Sequence, residues 1–400
     1  MDFTSMDFTF KEEQLQFADA LKRWVAKDYS FEQRTKIIAS DAGVSGAAWA
    51  ALAELGMTAL PVPQQQGGFS GTALDMFVVM QELGRGLVVE PYLATVLGAE
   101  FLKLGGGHES LLEQVGSGTL KLACALGERQ SRHDMADIAT RAELDGNAYR
   151  INGRKSVVLH GAQAGSLLVS ARTGGTQRAH DGITLFVLAF DTPGVTITGY
   201  RTLDGMRAAD IVFEHVRVPA SALVGELGAG WELLDAACDY GAALLCFEAL
   251  GVMEALFAAT LDYVKTRTQF GAPIGKFQVL QHRMADMFIH LEQARSMALL
   301  AAVKLASSDA VERRRAVSAA KFRVGAAMKF VGQQAIQLHG GMGVSNELPA
   351  AHHFKRLSMI ELTFGDSDHH LRRFMAQPGF VDADDGMGMS GRRPAPRLDA

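Results

Sequence analysis

Apolar residues recur at helical spacing through the first part of the chain and then change period. Leu15, Phe17, Ala18, Leu21, Trp24 and Val25 fall on one face, so EEQLQFADALKRWVAKDY predicts an amphipathic helix. GAAWAALAELGMTAL predicts a second helix, ended near Pro61 and Pro63, and PVPQQQGGFSG reads as loop. TALDMFVVMQELGRGL and PYLATVLGAEFLKLGGG predict two more. Between 119 and 226 the pattern shortens. LKLACAL, YRINGRKSVVL, GSLLVSARTG, GITLFVLAF, GVTITGY and ADIVFEHVRVP are rich in Val, Ile, Thr, Phe and Tyr, with Gly, Asp and Asn between them. No helix-length segment intervenes, which predicts an antiparallel β domain or barrel, not a βαβ sheet.

From 227 the helical period returns. The long apolar run from Gly230 to Arg267 predicts one helix. In the next, Phe277, Leu280, Met284, Met287, Leu291 and Ala294 form one stripe. Asp309 suits the N-cap of a third helix, LPAAHHFKRLSMIELTF predicts a fourth, and a shorter one starts near Asp368. The expected fold is therefore α+β and multi-domain: an N-terminal helical domain (1–118), a middle antiparallel β-barrel domain (119–226) and a C-terminal four-helix bundle (227–377). The stretch 378–400 has no periodicity and is expected to be a flexible tail.

Composition narrows the function. Hydrophobic residues make up 48% of the 400 residues, enough for a sizeable core, and a net charge of −5 gives no electrostatic case for nucleic acid. No run near 20 apolar residues stands out, so no membrane span is expected. Asp2, Lys11, Glu12 and Glu13 interrupt any signal-like region, and the repeated MDFT suggests a second start at Met6 or a short duplication. Cys124, Cys238 and Cys246 lack metal-type spacing and suit a reducing cytoplasm.

Two motifs carry chemistry. KTRTQFGAPIGKFQVLQHRMADM (265–287) and AIQLHGGMGVSNELP (335–349) resemble segments of the acyl-CoA dehydrogenase family. INGRKSVVLHG, GVTI and VRVPASALVGELGAGWELL resemble that family's middle domain and its exit. The resemblance spans roughly residues 10–377, in the α–β–α order already read from periodicity. The DFTF…EEQLQF start and MIELTFGDSDHHLRRF end look most like the subgroup called pimeloyl-CoA dehydrogenase small subunits.

The resemblance implies FAD between the β domain and the bundle, completed by a neighbouring subunit in a homo- or heterotetramer. It places Arg267 on the flavin nucleotide's pyrophosphate, where a planar, permanently charged fork is suited. Gln269, Phe270, Phe277 and Gln278 match nearby contacts; Gln337, Leu338, Gly340 and Gly341 match a loop around the ADP half, and Asp368 joins this set. Read without the family, a helical Arg is a solvated charge and a Gly pair after a helix is a C-cap. The implied reaction removes an α-proton from an acyl-CoA thioester while a hydride leaves the β-carbon for the flavin, with electrons passing to an electron-transfer flavoprotein.

Several positions depart from the family. Its flavin loop A-x-T-E-P-x-x-G-S-D appears here as ALGERQSRHD (125–134), and its W-I-T-N-G as Val157-Val158-Leu159-His160-Gly161. Ring-stacking area and a hydroxyl hydrogen bond, worth about 1 kcal/mol net, are missing. The base, glutamate in most members, falls on Asp366 when Leu371 is aligned, and one or two residues earlier on other anchors. Asp366 equally suits an N-cap. Glu248, a carboxylate in the apolar ALLCFEALG run, is the alternative base or a paired structural charge.

A metal reading of the His- and Asp-rich DSDHH is set aside, because neighbouring histidines in a turn point apart and no Glu-x-x-His pattern accompanies them. Three functions remain: an FAD-dependent acyl-CoA dehydrogenase for a dicarboxylyl or bulky acyl group, a non-catalytic or half-site subunit beside a companion acyl-CoA dehydrogenase chain, and a flavin oxidase or monooxygenase on the same fold.

Overall fold

The computed structural model describes residues 10–378; the MDFT repeat and nearly all of the expected tail lie outside the described residues. Six helices build the N-terminal part: α1 (Glu12–Asp28), α2 (Phe31–Ala39), α3 (Gly46–Glu54), α4 (Ala73–Arg85), α5 (Tyr92–Gly105) and α6 (Glu109–Gly116). Ser30 and Ser45 cap α2 and α3, and Thr72 with Asp75 forms a capping box on α4. The short helices α2 and α6 are absent from the periodicity reading.

Eight strands follow: β1 (Leu122–Ala125), β2 (Arg141–Asp145), β3 (Ala148–Leu159), β4 (Ser166–Arg172), β5 (Ile183–Ala189), β6 (Val195–Arg201), β7 (Arg207–Pro219) and β8 (Leu223–Val224). The order is β6-β7-β3-β2-β4-β5-β8, with β1 parallel to β4. Most pairs are antiparallel, and β2 joins β3 through a tight turn with Gly146 at φ +66°. The sheet does not close. Its halves meet only at the parallel pair Arg141↔Arg172, and the inner faces of both halves share a core containing Ile151, Leu167, Phe186 and Ile211.

The C-terminal helices are α7 (Trp231–Thr266), α8 (Gln278–Lys304), α9 (Ala310–His339), α10 (Pro349–Leu362) and α11 (Ser367–Met375). A two-stranded turn, β9 (Thr268–Gln269) and β10 (Ala272–Pro273), links α7 to α8. Asp309 caps α9 through the Val311 and Glu312 N–H groups. On α8 the stripe buries Met284, Met287, Leu291 and Ala294 but leaves Phe277 exposed. Helix α7 is long and apolar enough to cross a membrane, contrary to the sequence expectation, yet it is largely buried against protein. Glycine permits its closest contact: a Cβ on Gly251 would sit 1.7 Å from the Gln81 carbonyl oxygen of α4.

One buried ion cluster ties the three parts together. Arg356 of α10 donates to both oxygens of Glu248 on α7, at 2.5 and 2.7 Å, and to Asp204 in the β6–β7 turn at 2.8 Å. Arg34 of α2 reaches the Asp204 carbonyl at 2.9 Å. Removing one partner strands a buried charge, so Glu248→Ala is expected to cost about 3–5 kcal/mol of unfolding free energy. Urea denaturation measures this; a loss below 1 kcal/mol would show that the cluster holds nothing together.

Candidate active site

The connection between α10 and α11 is built tightly from both sides. Lys321, fully buried on α9, donates to the carbonyls of Ile360, Glu361 and Gly365 at 2.9, 3.2 and 2.8 Å. Burial lowers its pKa, and the Glu361 and Asp366 carboxylates oppose the shift. His370 donates Nε2–H to the Phe364 carbonyl at 2.8 Å. Gly365 sits at φ +100°, and a Cβ there would collide with the His369 and His370 rings at 2.6–2.9 Å. Phe364 precedes it at φ +53°, its ring against Gly241 of α7.

Asp366 then begins α11. Its Oδ1 accepts the His369 N–H at 2.8 Å, so it is an N-cap, as the alternative sequence reading proposed. Its Oδ2 lies 3.2 Å from Nε2 of His133, which comes from the middle domain. Burial would raise the Asp366 carboxyl, but the His369 N–H and His133 outweigh it and hold the group below its ordinary pKa. The Asp366 backbone N–H makes no intramolecular hydrogen bond among the described residues.

His133 stands in a firmly anchored loop. Glu128 accepts from Lys155 at 2.8 Å and from the Ala139 and Thr140 N–H groups at 2.8 and 3.1 Å. Burial opposes ionisation of Glu128, but Lys155 outweighs it and pulls the carboxyl down to about 2. Lys155 also donates to the Leu126 carbonyl and to Ser170. Nearer the tip, the Asp134 N–H reaches the Ser131 carbonyl at 2.8 Å, and Arg132 sits at φ +48°.

Between this loop, α7 and α11 lies a cavity of about 250 Å³. Met135, Trp231, Cys238 and Phe364 give it apolar walls; His133, His369, Asp235, Asp239 and Arg373 give it polar ones. Arg373 donates to Asp239 at 2.6 Å and to Asp235 at 2.8 Å, while Arg313 and Arg314 of α9 take the remaining oxygens. Burial works against the Arg373 charge, but both aspartates outweigh it and raise its pKa. Cys238 is pushed far up by burial, which leaves a neutral thiol. Burial, with His133 and Arg373 nearby, lowers His369 to about 4 and keeps it neutral near pH 7.

The other predicted residues fall elsewhere. Glu248 is corrected from candidate base to structural ion-pair partner: it is buried and both oxygens are spent on Arg356. Arg267 has no side-chain partner among the described residues and is exposed at the far end of α7. Gln269, Gln278 and Gln337 are exposed beside it, with Phe270 91% exposed. Tyr263 stacks on His339 with centroids 4.5 Å apart, which joins the α7 and α9 ends. A Cβ on Gly340 or Gly341 would meet nothing within 4 Å. The Leu338 side chain faces the core, so only its backbone is available to a ligand. Asp368 is exposed on α11, away from this surface.

At about 1.5 Å per residue, α7 holds Asp239 and Arg267 about 40 Å apart. The Arg267 face and the Asp366 cavity therefore cannot serve one bound molecule within one chain. An unpartnered guanidinium, an exposed aromatic ring and open glycines fit a dinucleotide that a second subunit also touches. In the middle domain, Val157 is exposed at φ +54° where the family places its ring contact. His160 is buried with both ring nitrogens unpartnered. Among the described residues, no three His, Cys, Asp or Glu side chains gather as metal ligands.

Sequence reasoning missed three features. His133 entered only as a departure from the family loop, Lys321 not at all, and the pair Asp235 and Asp239 went unremarked. Two acids at i, i+4 in an apolar helix were a readable signal.

Known proteins share this sequence pattern and fold. Residues 11–109, 123–216 and 228–377 match the acyl-CoA dehydrogenase N-terminal, middle and C-terminal domains. A probable acyl-CoA dehydrogenase of Bacillus subtilis, YngJ, is 32% identical over 79% of this chain and 85% of its own. Butyryl-CoA dehydrogenase from Megasphaera elsdenii superposes with TM-score 0.84 at 26% identity, covering 92% of this chain and 98% of that one. A chain of the ChsE4–ChsE5 complex from Mycobacterium tuberculosis gives TM-score 0.83 at 25% identity, covering 98% and 100%. With all three domain signatures in order on the matching helix–sheet–helix fold, the chain belongs to the acyl-CoA dehydrogenase family, whose members are FAD enzymes.

Proposed function

We propose that this acyl-CoA dehydrogenase uses Asp366 to take the α-proton of an acyl-CoA thioester, giving the 2,3-enoyl-CoA. The observation that carries this is the place of Asp366: a carboxylate held between His133 and the His369 N–H, two residues that line a walled cavity, with its own backbone N–H free to donate. That N–H suits the thioester oxygen, where charge grows as the α-proton leaves. FAD, when bound, supplies the acceptor for the β-hydride. The chain's own residues do the rest. Phe364 and Trp231 shield the cavity from water, Arg373 fixes α11 on α7, and Lys321 keeps the turn before Asp366 in shape. Electrons then pass to an electron-transfer flavoprotein, and three free cysteines suit a cytoplasmic site.

The cavity favours an uncharged acyl segment over a dicarboxylyl one. A distal carboxylate needs a free cation, and the one arginine on the lining is already engaged by Asp235 and Asp239. A bulky acyl group remains compatible if it extends past Phe364.

A second reading has its own support: the chain acts as half of a heteromeric site, lending its Arg267 face to a companion subunit's FAD. The separation of about 40 Å along α7 and the altered ring contacts at Val157 and Leu159 favour it.

Asp366→Asn is expected to cut turnover about 10³-fold while the flavin absorbance and melting temperature hold. Anaerobic mixing with acyl-CoA reads it directly: the wild-type flavin band bleaches and the variant's does not. Equal bleaching rates would remove Asp366 from the chemistry. Arg267→Ala is expected to weaken FAD retention about tenfold or more, measured by flavin content after gel filtration. If the loss shows only in a complex with the companion subunit, the half-site reading holds.

A further inference from the structure

The strongest unexplained contact is the one across the domain boundary at Asp366. His133 replaces a small residue of the family loop, and nothing in the reaction above requires an imidazole there. Its Nε2 nevertheless lies 3.2 Å from Oδ2 of Asp366. Its ring also meets the His369 ring edge-on, with centroids 5.6 Å apart. The loop carrying it is pinned at its base by Glu128 and Lys155 and at its tip by the Asp134 N–H. Asp366 is thus gripped twice: by its own helix through the His369 N–H, and by the opposite domain through His133.

We infer that His133 is the positioning residue for Asp366: a neutral ring aims the carboxylate by hydrogen bonding, and a protonated ring disarms it as a base. This deepens the reading of Asp366 as base and rests on it. The physics is direct. A neutral imidazole donating Nε2–H orients the carboxylate and leaves it basic. An imidazolium at the same distance is an ion pair, which stabilises the carboxylate and weakens its pull on a C–H proton. Histidine can make that change near neutral pH. Solvent reaches both partners, with 21% of the His133 side chain and 27% of the Asp366 side chain exposed, so bulk pH acts on the pair.

The neighbouring charges are compatible with a switch confined to His133. On α11 the facing groups are Asp366, His369, His370, Arg372 and Arg373; on α7 they are Asp235 and Asp239; on its own loop they are Arg132 and Asp134. Asp235 and Asp239 are paired by Arg373, Arg313 and Arg314, and burial keeps His369 and His370 uncharged near pH 7.

Glutamine can place an amide donor near the position of Nε2 but cannot titrate, whereas alanine gives neither donor nor charge. Three FAD-loaded enzymes are therefore compared from pH 5 to 9: wild type, His133→Gln and His133→Ala. Wild-type kcat/KM is expected to fall on the acid side as His133 protonates. In His133→Gln that limb is lost, with kcat at pH 8.5 close to wild type. In His133→Ala, kcat falls up to about 100-fold with little change in KM. Unchanged acid limbs in both variants, or equal kcat losses in both, would overturn the proposal.

A second measurement does not depend on turnover. The Asp366 carboxyl titration, followed by infrared or carbon-13 NMR, is expected to move to higher pH in His133→Gln, because the facing cation is gone. No movement overturns the coupling. If the wild-type enzyme fails to oxidise any acyl-CoA while the carboxyl still moves, the reading of Asp366 as base fails and the His133–Asp366 pairing stands.

Discussion

The buried cluster around Asp204 decides where everything else can be. Arg356 on α10 binds Glu248 on α7 with two parallel hydrogen bonds and spends its third donor on Asp204 of the β domain. Arg34 brings the N-terminal helices to the same residue. Such a cluster is weak as a source of net stability, because desolvating the ions offsets much of their attraction. Its geometric demand is strict, since a displaced partner leaves a buried charge alone. The contact between His133 and Asp366 depends on that demand. His133 belongs to the β domain and Asp366 to the bundle, and a 3.2 Å contact between them survives only if the two are held to within a fraction of an ångström.

Helix α7 is the second constraint. Its 36 residues run past both functional regions, with Asp235 and Asp239 near one end and Arg267 just past the other. The apolar run that makes it resemble a membrane span is what lets it serve as the buried spine of the bundle. A rigid rod of this length separates the cavity beside Asp235 and Asp239 from the exposed face at Arg267. One chain therefore keeps these two regions apart, with the exposed Phe270 and the open glycines at 340 and 341 on the far one.

Periodicity made the long elements legible and the short ones not. Helices α1, α4, α5, α7, α8, α9 and α10 show two turns or more of apolar spacing, whereas α2, α6 and β2 do not. The open sheet was not readable, because strand patterns report facing and not closure. The site was legible where the signal is local. Asp366 can be read as an N-cap from its position before a polar helix start, and the structure places it there. It was illegible where partners come from far along the chain. Glu248 looked like an unexplained carboxylate because Arg356, which explains it, lies 108 residues away. The loop histidine looked like a lost glycine-serine pair for the same reason: its partner is in another domain.

The aspartate that starts α11 brings these observations together. Its side chain is one methylene shorter than that of glutamate, so it reaches less far from the helix start. The shorter chain is also what allows Asp366 to close the N-cap on the His369 N–H, a geometry that glutamate serves poorly. Reach is exchanged for fixity. A carboxylate capped in this way is held in place, and the groups around it must be set accordingly. Phe364 held at φ +53° against Gly241, Lys321 spending three hydrogen bonds on one turn, and a histidine that meets Asp366 from the other domain all fix this carboxylate from different sides.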